Sequence, residues 1–335
     1  NDYIQTVNGG TVTKGGSDKT QWSIASYLAR VQYSYAGKYM LSGAIRTDGS
    51  SRFGKNNRWG YFPSASAAWR ISEEDFFKKQ KSLSFINDMK IRVSYGVTGN
   101  FQIGNYEHWA TMSIDNYILG SGSGKQIYGY KPDNIERDDL SWEKNKMMNA
   151  GIDLQMFNGL LGVTVDYYNT NTSDMLLNVP VPLLTGYSTS LTNIGKVNNR
   201  GWEIALTSQK NITTDFGYSL NANWAKNKNE VKELGPGDAP IISSGSVAHA
   251  YYITEVGQPI GNYYLLVQDG IFETEEDLKK YPHFDNTKVG DFRFVDVDGD
   301  GVLDLDKDRA VVGNYMPKFT YGFGGKLWYK GFDLD

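Results

Sequence analysis

The stretch SYLARVQYSYAGKYMLSGAIRTD, Ser26 to Asp48, alternates along almost its whole length. Tyr27, Ala29, Val31, Tyr33 and Tyr35 fall on one side of an extended chain and Arg30, Gln32 and Ser34 on the other, because successive side chains of a strand point to opposite faces. After Ala36 to Lys38 the pattern resumes, with Tyr39, Leu41, Gly43 and Ile45 opposed to Ser42, Ala44 and Arg46. The reading is two antiparallel strands joined by a tight turn, with one aromatic and apolar face and one polar, arginine-bearing face.

The same pattern recurs downstream. In MKIRVSYGVTG, Met89, Ile91, Val93, Tyr95 and Val97 oppose Lys90, Arg92, Ser94 and Thr98. In MNAGIDLQMFNGLLGVTVDYY, Ala150, Ile152 and Leu154, then Leu161, Val163 and Val165, oppose Asp153, Gln155, Thr164 and Asp166 about an Asn158-Gly159 pair that favours a type I′ turn. Trp202, Ile204 and Leu206 with Phe216, Tyr218, Leu220, Ala222 and Trp224 predict a further hairpin, and Phe319, Tyr321, Phe323, Leu327 and Tyr329 begin another. Helix signals are confined to two short segments, SEEDFFKKQ and ETEEDLKKY.

Strand length and the rhythm of connections separate a membrane barrel from a soluble sandwich. The strands run to about 10–14 residues, beyond the usual soluble length of about 5–6 and enough for a tilted membrane span of about 9–11. Tight connections (AGK, FNG, KNITTD, YKG) alternate with long ones near 47–59, 99–139, 170–196 and 227–317, as in barrels with short periplasmic turns and long extracellular loops. The connection SEEDFFKKQKSLSFIND is long on the short-turn side, where a short helix would cap the rim. Arg30, Arg46, Arg70, Arg92, Asp153, Glu203 and Asn221 all oppose the apolar series, and in a barrel they face a wet lumen. Tyr35 with Tyr39, and Trp224 with Phe216, suit aromatic girdles or ordinary cross-strand packing.

Composition agrees with an all-β chain. Of 335 residues 37 are Gly and 23 Tyr, there is no Cys, and the net charge is -4, which argues against a nucleic-acid binder. No stretch reaches the roughly 18 apolar residues of a membrane helix, a fact silent about strands that alternate. The polar opening NDYIQTVNGGTVTKGGSDKT and the closing KGFDLD read as an internal piece of a longer protein. Catalytic motifs are lacking: GSGSGK, Gly120 to Lys125, misses the spacing and the Ser/Thr of a phosphate loop, and His108, His249 and His283 lie in or at the edges of long loops without a partner motif. No enzyme is expected.

One loop carries metal-ligand spacing. In DVDGDGVLDLDKDR, Asp296, Asp298, Asp300 and Asp304 take positions 1, 3, 5 and 9 of a calcium loop, Gly301 the sharp turn at 6, and the Val302 carbonyl position 7. Position 12 is Lys307, flanked by Asp306 and Asp308, so the closing ligand is displaced or missing. The flanks VGDFRF and AVVGNYMP are extended, which excludes a helical EF-hand and leaves either a calcium-stabilised loop or a solvated acidic turn.

The strings LSGAIRTDGSSRFGKNNRWGYFPSASAAWRISEEDFF, MKIRVSYGVTGNFQIGNY and DVDGDGVLDLDKDRAVVGNYMPKFTYGFGGKLWYKGFDLD resemble the barrel of the SusC/RagA family of TonB-linked outer-membrane transporters of Bacteroidetes. The resemblance implies an antiparallel transmembrane β-barrel of 22 strands, of which residues 1–335 supply roughly ten, with long extracellular loops and with the plug and N-terminal domains outside this chain. It also implies a Gram-negative outer-membrane location, contact with membrane lipid, TonB energisation, a SusD-like surface lipoprotein, a dimer of such pairs, and uptake of an oligosaccharide or oligopeptide. Substrate-contact candidates are the loop aromatics Tyr106, Trp109, Tyr117, Tyr128 and Tyr130, and Arg46, Asp48 and Arg52 near the mouth. The competing reading is a soluble or surface-attached glycan-binding β protein whose acidic loop holds calcium.

Overall fold

The computed structural model describes residues 19–120, 124–187, 189–245 and 250–335. Ten strands form one antiparallel sheet in which each strand pairs with the next in sequence. They are β1 (Ile24–Tyr35), β2 (Tyr39–Ser50), β3 (Trp59–Arg70), β4 (Ile86–Asn100), β5 (Glu143–Met156), β6 (Leu161–Ser173), β7 (Lys196–Asn211), β8 (Phe216–Glu233), β9 (Thr320–Tyr329) and β10 (Phe332–Leu334). The tight turns have the expected chemistry. Ala36 and Gly37 take φ of 53° and 66° and the Lys38 amide donates to the Tyr35 carbonyl at 2.9 Å. Asn158 and Gly159 take 56° and 81°, the left-handed pair that a type I′ turn requires.

Pairing register shows that the sheet is tilted. Tyr35, Tyr39, Trp69, Ile91, Ile152, Val165, Ile204, Trp224 and Tyr321 are successive Cα partners across β1 to β9. This row starts beside the tight turns and ends beside the long loops, so it climbs through the wall as the shear of a barrel demands. Tyr321 in the row, and Val31 and Phe323 beside it on the same face, are 70%, 73% and 84% exposed. A soluble surface rarely carries so continuous an apolar patch, whereas lipid accommodates it.

Aromatic side chains bracket that band. Beside the tight turns, Tyr39 stacks on Trp69, Phe85 on Phe157, and Phe216 packs edge-on against Tyr329. Beside the long loops, Tyr27 stacks on Trp59 and Tyr167 packs against Trp202. Girdle and cross-strand pairing are therefore the same residues seen from two directions. Tyr27 and Tyr35 are eight residues apart, about 26 Å of strand, which at a 40° tilt spans about 20 Å of membrane.

The opposite face is polar and internally paired. Arg92 bridges Asp166 at 2.6 Å and Asp153 at 3.2 Å, and Lys90 meets Asp153 at 2.9 Å. Gly151 makes room for this cluster, since a Cβ there would lie 2.5 Å from Asp166 Oδ1 and 2.8 Å from the Arg92 guanidinium carbon. The outer edges of β1 and β10 are unpaired among the described residues. An open edge is not tolerated in lipid, so strands beyond these ten complete the wall.

The long connection after β3 folds as a 3₁₀ turn, a short helix over Asp75–Lys78 and a second 3₁₀ turn. There Glu74 accepts from the Tyr39 hydroxyl at 2.6 Å, from the Lys38 ammonium at 3.1 Å and from the Trp69 indole at 3.1 Å. These donors hold its carboxyl below the usual range. A depressed folded-state value means that the stabilisation is present above the unfolded value and is lost as pH falls through the folded one. Acid melts of the full-length receptor should show this loss of rim protection by hydrogen exchange, and Glu74→Gln should abolish the pH dependence.

Above the wall the loops carry their own structure. Ile241–Ser244, Tyr251–Thr254, Asn262–Leu266 and Arg309–Asn314 make a four-stranded sheet, and Met112–Leu119 pairs with Lys125–Pro132 in a hairpin. Thr274 and Asp277 close a capping box on the helix Glu275–Lys280. Two buried clusters anchor the loops, one of Phe53, Phe62, Ile103, Leu140 and Trp142, the other of Val197, Val231 and Leu234.

Candidate functional site at the extracellular mouth

Two cavities lie where the wall meets the loops. The first, about 480 Å³, is lined by Trp22, Arg58, Tyr106, His108 and Trp109 with Gln21, Ser23 and Ser51. Tyr106 and Trp109 stack at 5.6 Å with planes 12° apart, and Tyr106 holds a left-handed φ of 70° to present its ring there. His108 is buried with Nδ1 3.0 Å from the Arg52 carbonyl, and its ring lies 4.9 Å from that of Trp109.

The second cavity, about 450 Å³, is lined by Leu28, Arg46, Asp48, Phe62, Phe101 and Trp142 among others. Arg46 Nε donates to both Asp48 oxygens, at 2.9 and 2.8 Å, so the guanidinium is oriented toward the lumen by a buried carboxylate. Arg52 stands between the cavities. Its guanidinium lies 4.9 Å from the Trp22 ring and 5.4 Å from the Phe101 ring, and it donates to Asn105 Oδ1 at 3.0 Å.

Five sequence candidates thus gather at the mouth: Tyr106 and Trp109 in one cavity, Arg46 and Asp48 in the other, Arg52 linking them. Tyr117 and Tyr130 do not join them, standing 65% and 68% exposed on the Met112–Leu119/Lys125–Pro132 hairpin. The Tyr128 backbone pairs with Asn116 in that hairpin, and its side chain lies outside the described residues, as do His249 and the loop tip 121–123. Sequence reasoning missed Trp22, Arg58 and His108. Trp22 sits just before the first alternating strand, and a Trp in that position was the available signal.

The acidic loop is built differently from its spacing. Asp296, Asp298 and Asp308 bring one oxygen each to within 4.8 Å of one another. Asp300 instead accepts from the Val302 amide at 2.8 Å and lies 3.7 Å from Lys307 Nζ, while Asp304 accepts from the Asp306 and Lys307 amides. Asp308, one place past Lys307, is fully buried and accepts from the Val297 and Asp304 amides at 2.8 and 2.6 Å. Burial works against its charge, but the backbone donors outweigh burial and hold the carboxyl below the usual range.

A family model described as "TonB dependent receptor-like, beta-barrel" matches residues 1–329. The TonB-dependent receptor P39 of Formosa agariphila is 35% identical over 99% of this chain and 34% of its own length. The TonB-dependent receptor SusC of Bacteroides thetaiotaomicron is 29% identical over 99% of this chain and 32% of its own. The RagAB peptide importer in its closed-closed state superposes with a TM-score of 0.76 at 25% identity, covering 99% of this chain and 35% of that one. The chain spans about a third of the length of these relatives, which are receptors and an importer by name, not enzymes. Ordered antiparallel strands, a lipid-facing apolar band between aromatic girdles and these likenesses agree: the chain belongs to the TonB-dependent receptor β-barrel family, as part of the outer-membrane barrel of a SusC- and RagA-like receptor.

Proposed function

We propose that the complete protein imports an oligosaccharide across the outer membrane, energised through TonB and assisted by a SusD-like lipoprotein over the mouth, in a dimer of such pairs. The observation that carries this reading is the stacked Tyr106–Trp109 pair opening onto a cavity with Arg58 and His108, in a chain related to SusC. Flat aromatic faces bind the apolar faces of sugar rings, and the polar groups beside them fix orientation. An oligopeptide is the second substrate class, favoured by the superposition on the RagAB peptide importer. Uptake of labelled oligosaccharides and oligopeptides by cells carrying the full-length protein separates the two. Trp109→Ala should weaken uptake of the true substrate about two- to thirteenfold, from the loss of about 0.5–1.5 kcal/mol of stacking. Unchanged uptake of both classes would remove the cavity from the account.

The acidic loop is, on this reading, a calcium clip that fixes the loop sheet above the mouth. Hard carboxylate oxygens are the right donors for that ion. In calorimetry on the full-length protein, Asp298→Ala and Asp308→Ala should each abolish the calcium heat, while Asp300→Ala should reduce it less. Equal heats for all four proteins would dismiss the clip.

A further inference from the structure

We infer that the outward face of β5–β8, just above the extracellular aromatic girdle, is a docking surface for phosphate-bearing glycolipid of the outer leaflet. Pairing register places the surface. Lys146, Asn171, Asn198 and Glu230 are successive partners across β5–β8. One row nearer the girdle, Asn169, Arg200 and Lys228 are partners, and Lys226 pairs with the girdle residue Trp202. All share the face of the lipid band, not that of the lumen.

Charge on this face is concentrated. Lys144 and Lys196 lie in the next row up, and Lys232 reaches the same face beside Glu230. Seven cations therefore meet three carboxylates, Asp174, Glu230 and Glu233, on a chain whose net charge is -4. Glu230 is shared by Arg200, Lys228 and Lys232, whereas Lys146 and Lys226 have no ion pair among the described residues. On β2 and β3 the corresponding positions are Thr47, Gly49, Tyr61 and Trp59, without a charge.

The polar floor between these cations is fixed. Asn198 is buried and donates its amide to Asn169 Oδ1 at 2.6 Å and Asn171 Oδ1 at 2.9 Å. Arg200 stands two residues above Trp202, about 7 Å of strand, which sets its guanidinium at head-group height. Basic side chains at that depth attract anionic lipid and donate charge-assisted hydrogen bonds to phosphate oxygens. A solubilising skirt would be spread around the rim. An acidic protein partner would need to approach through the outer leaflet.

The inference rests on the outer-membrane placement, and its test separates the two. Full-length protein is reconstituted in nanodiscs of zwitterionic lipid doped with lipid A in its phosphorylated or dephosphorylated form, and bound glycolipid is counted by native mass spectrometry. Wild type should retain the phosphorylated form about tenfold better, and retention should fall as salt rises. Lys146→Gln, Arg200→Gln and Lys228→Gln combined should erase the preference. Single Lys226→Gln should weaken it should the triple variant fail to form a barrel. Inorganic phosphate at millimolar concentration should not displace the glycolipid. Equal retention of both forms, an unaffected triple variant or displacement by inorganic phosphate would overturn the inference. Protein absent from outer-membrane fractions would instead overturn the placement.

Discussion

Replacing Ile152 by Arg should lower the unfolding free energy of the reconstituted receptor by about 2–4 kcal/mol, the cost of a cation at mid-depth on a lipid-facing wall. Ile152 lies between Ile91 and Val165 in the climbing row, with apolar side chains on both partners, and falls between the girdle residue Phe157 and Ala150, the partner of the girdle residue Tyr167. No carboxylate on that face is at hand to pair with the new charge, because the nearest acidic groups of β5 and β6, Asp153 and Asp166, point to the lumen, and Glu143 lies at the far end of β5. The matched control is Asn223→Arg, in the lumenal register of β8 opposite Gly322, which should cost less than about 1 kcal/mol. Denaturant titration in lipid vesicles reads both. Equal costs would mean that the two faces are assigned the wrong way round, or that the wall does not meet lipid.

Trp142→Ala should cost about 3–5 kcal/mol, the range for emptying a large aromatic site from a packed interior. Trp142 is 3% exposed and packs against Phe62, Phe53 and Phe101 with ring centroids 5.3, 5.4 and 5.2 Å away. Its indole N–H also donates to the Arg58 carbonyl at 3.0 Å, which ties the cluster to the cavity that Arg58 lines. The variant should therefore lose substrate affinity together with stability, whereas Trp109→Ala should lose affinity alone. A Trp142 variant that unfolds at the wild-type midpoint would show that the loops are held in place by something other than this cluster.

The wall was legible in the sequence because period two is a local property. From Tyr27 to Tyr35 each residue declares its face, and the turn residues Ala36-Gly37 and Asn158-Gly159 mark where the chain reverses. Even the helix over Asp75–Lys78 was visible in its charged run. The loops were not legible to the same degree. Leu140 is completely buried, yet the alternation around it in DDLSWEKN is only Leu140 and Trp142, too short to predict a core, and its environment is supplied by Phe53 and Phe62, some eighty residues earlier. The acidic loop shows the same limit. Its spacing named Asp300 and Asp304, but the chain path brings Asp308 to Asp296 and Asp298, and Lys307, the residue that spoiled the motif, turns to Asp300. Of the mouth residues, those attached to a strand end, Arg46 and Asp48, were found by register, whereas Arg58 and His108 join through loop packing.

Phe62 occupies space that its neighbours leave. A Cβ on Gly60 would lie 2.4 Å from the tip of the Phe62 ring, and one on Gly99 2.2 Å from it. Bulk at this rim is thus held in common by three positions on two adjacent strands. Among descendants of one ancestor these positions should drift as a set: a side chain gained at 60 or 99 should accompany a smaller residue at 62. In the laboratory, Gly99→Ala should be damaging alone and partly repaired by Phe62→Leu, because the new Cβ would still lie 2.8 Å from the Trp142 ring. The mouth could then be reshaped for a different cargo by exchanging volume across the strand pair, while the wall beneath it stays as it is.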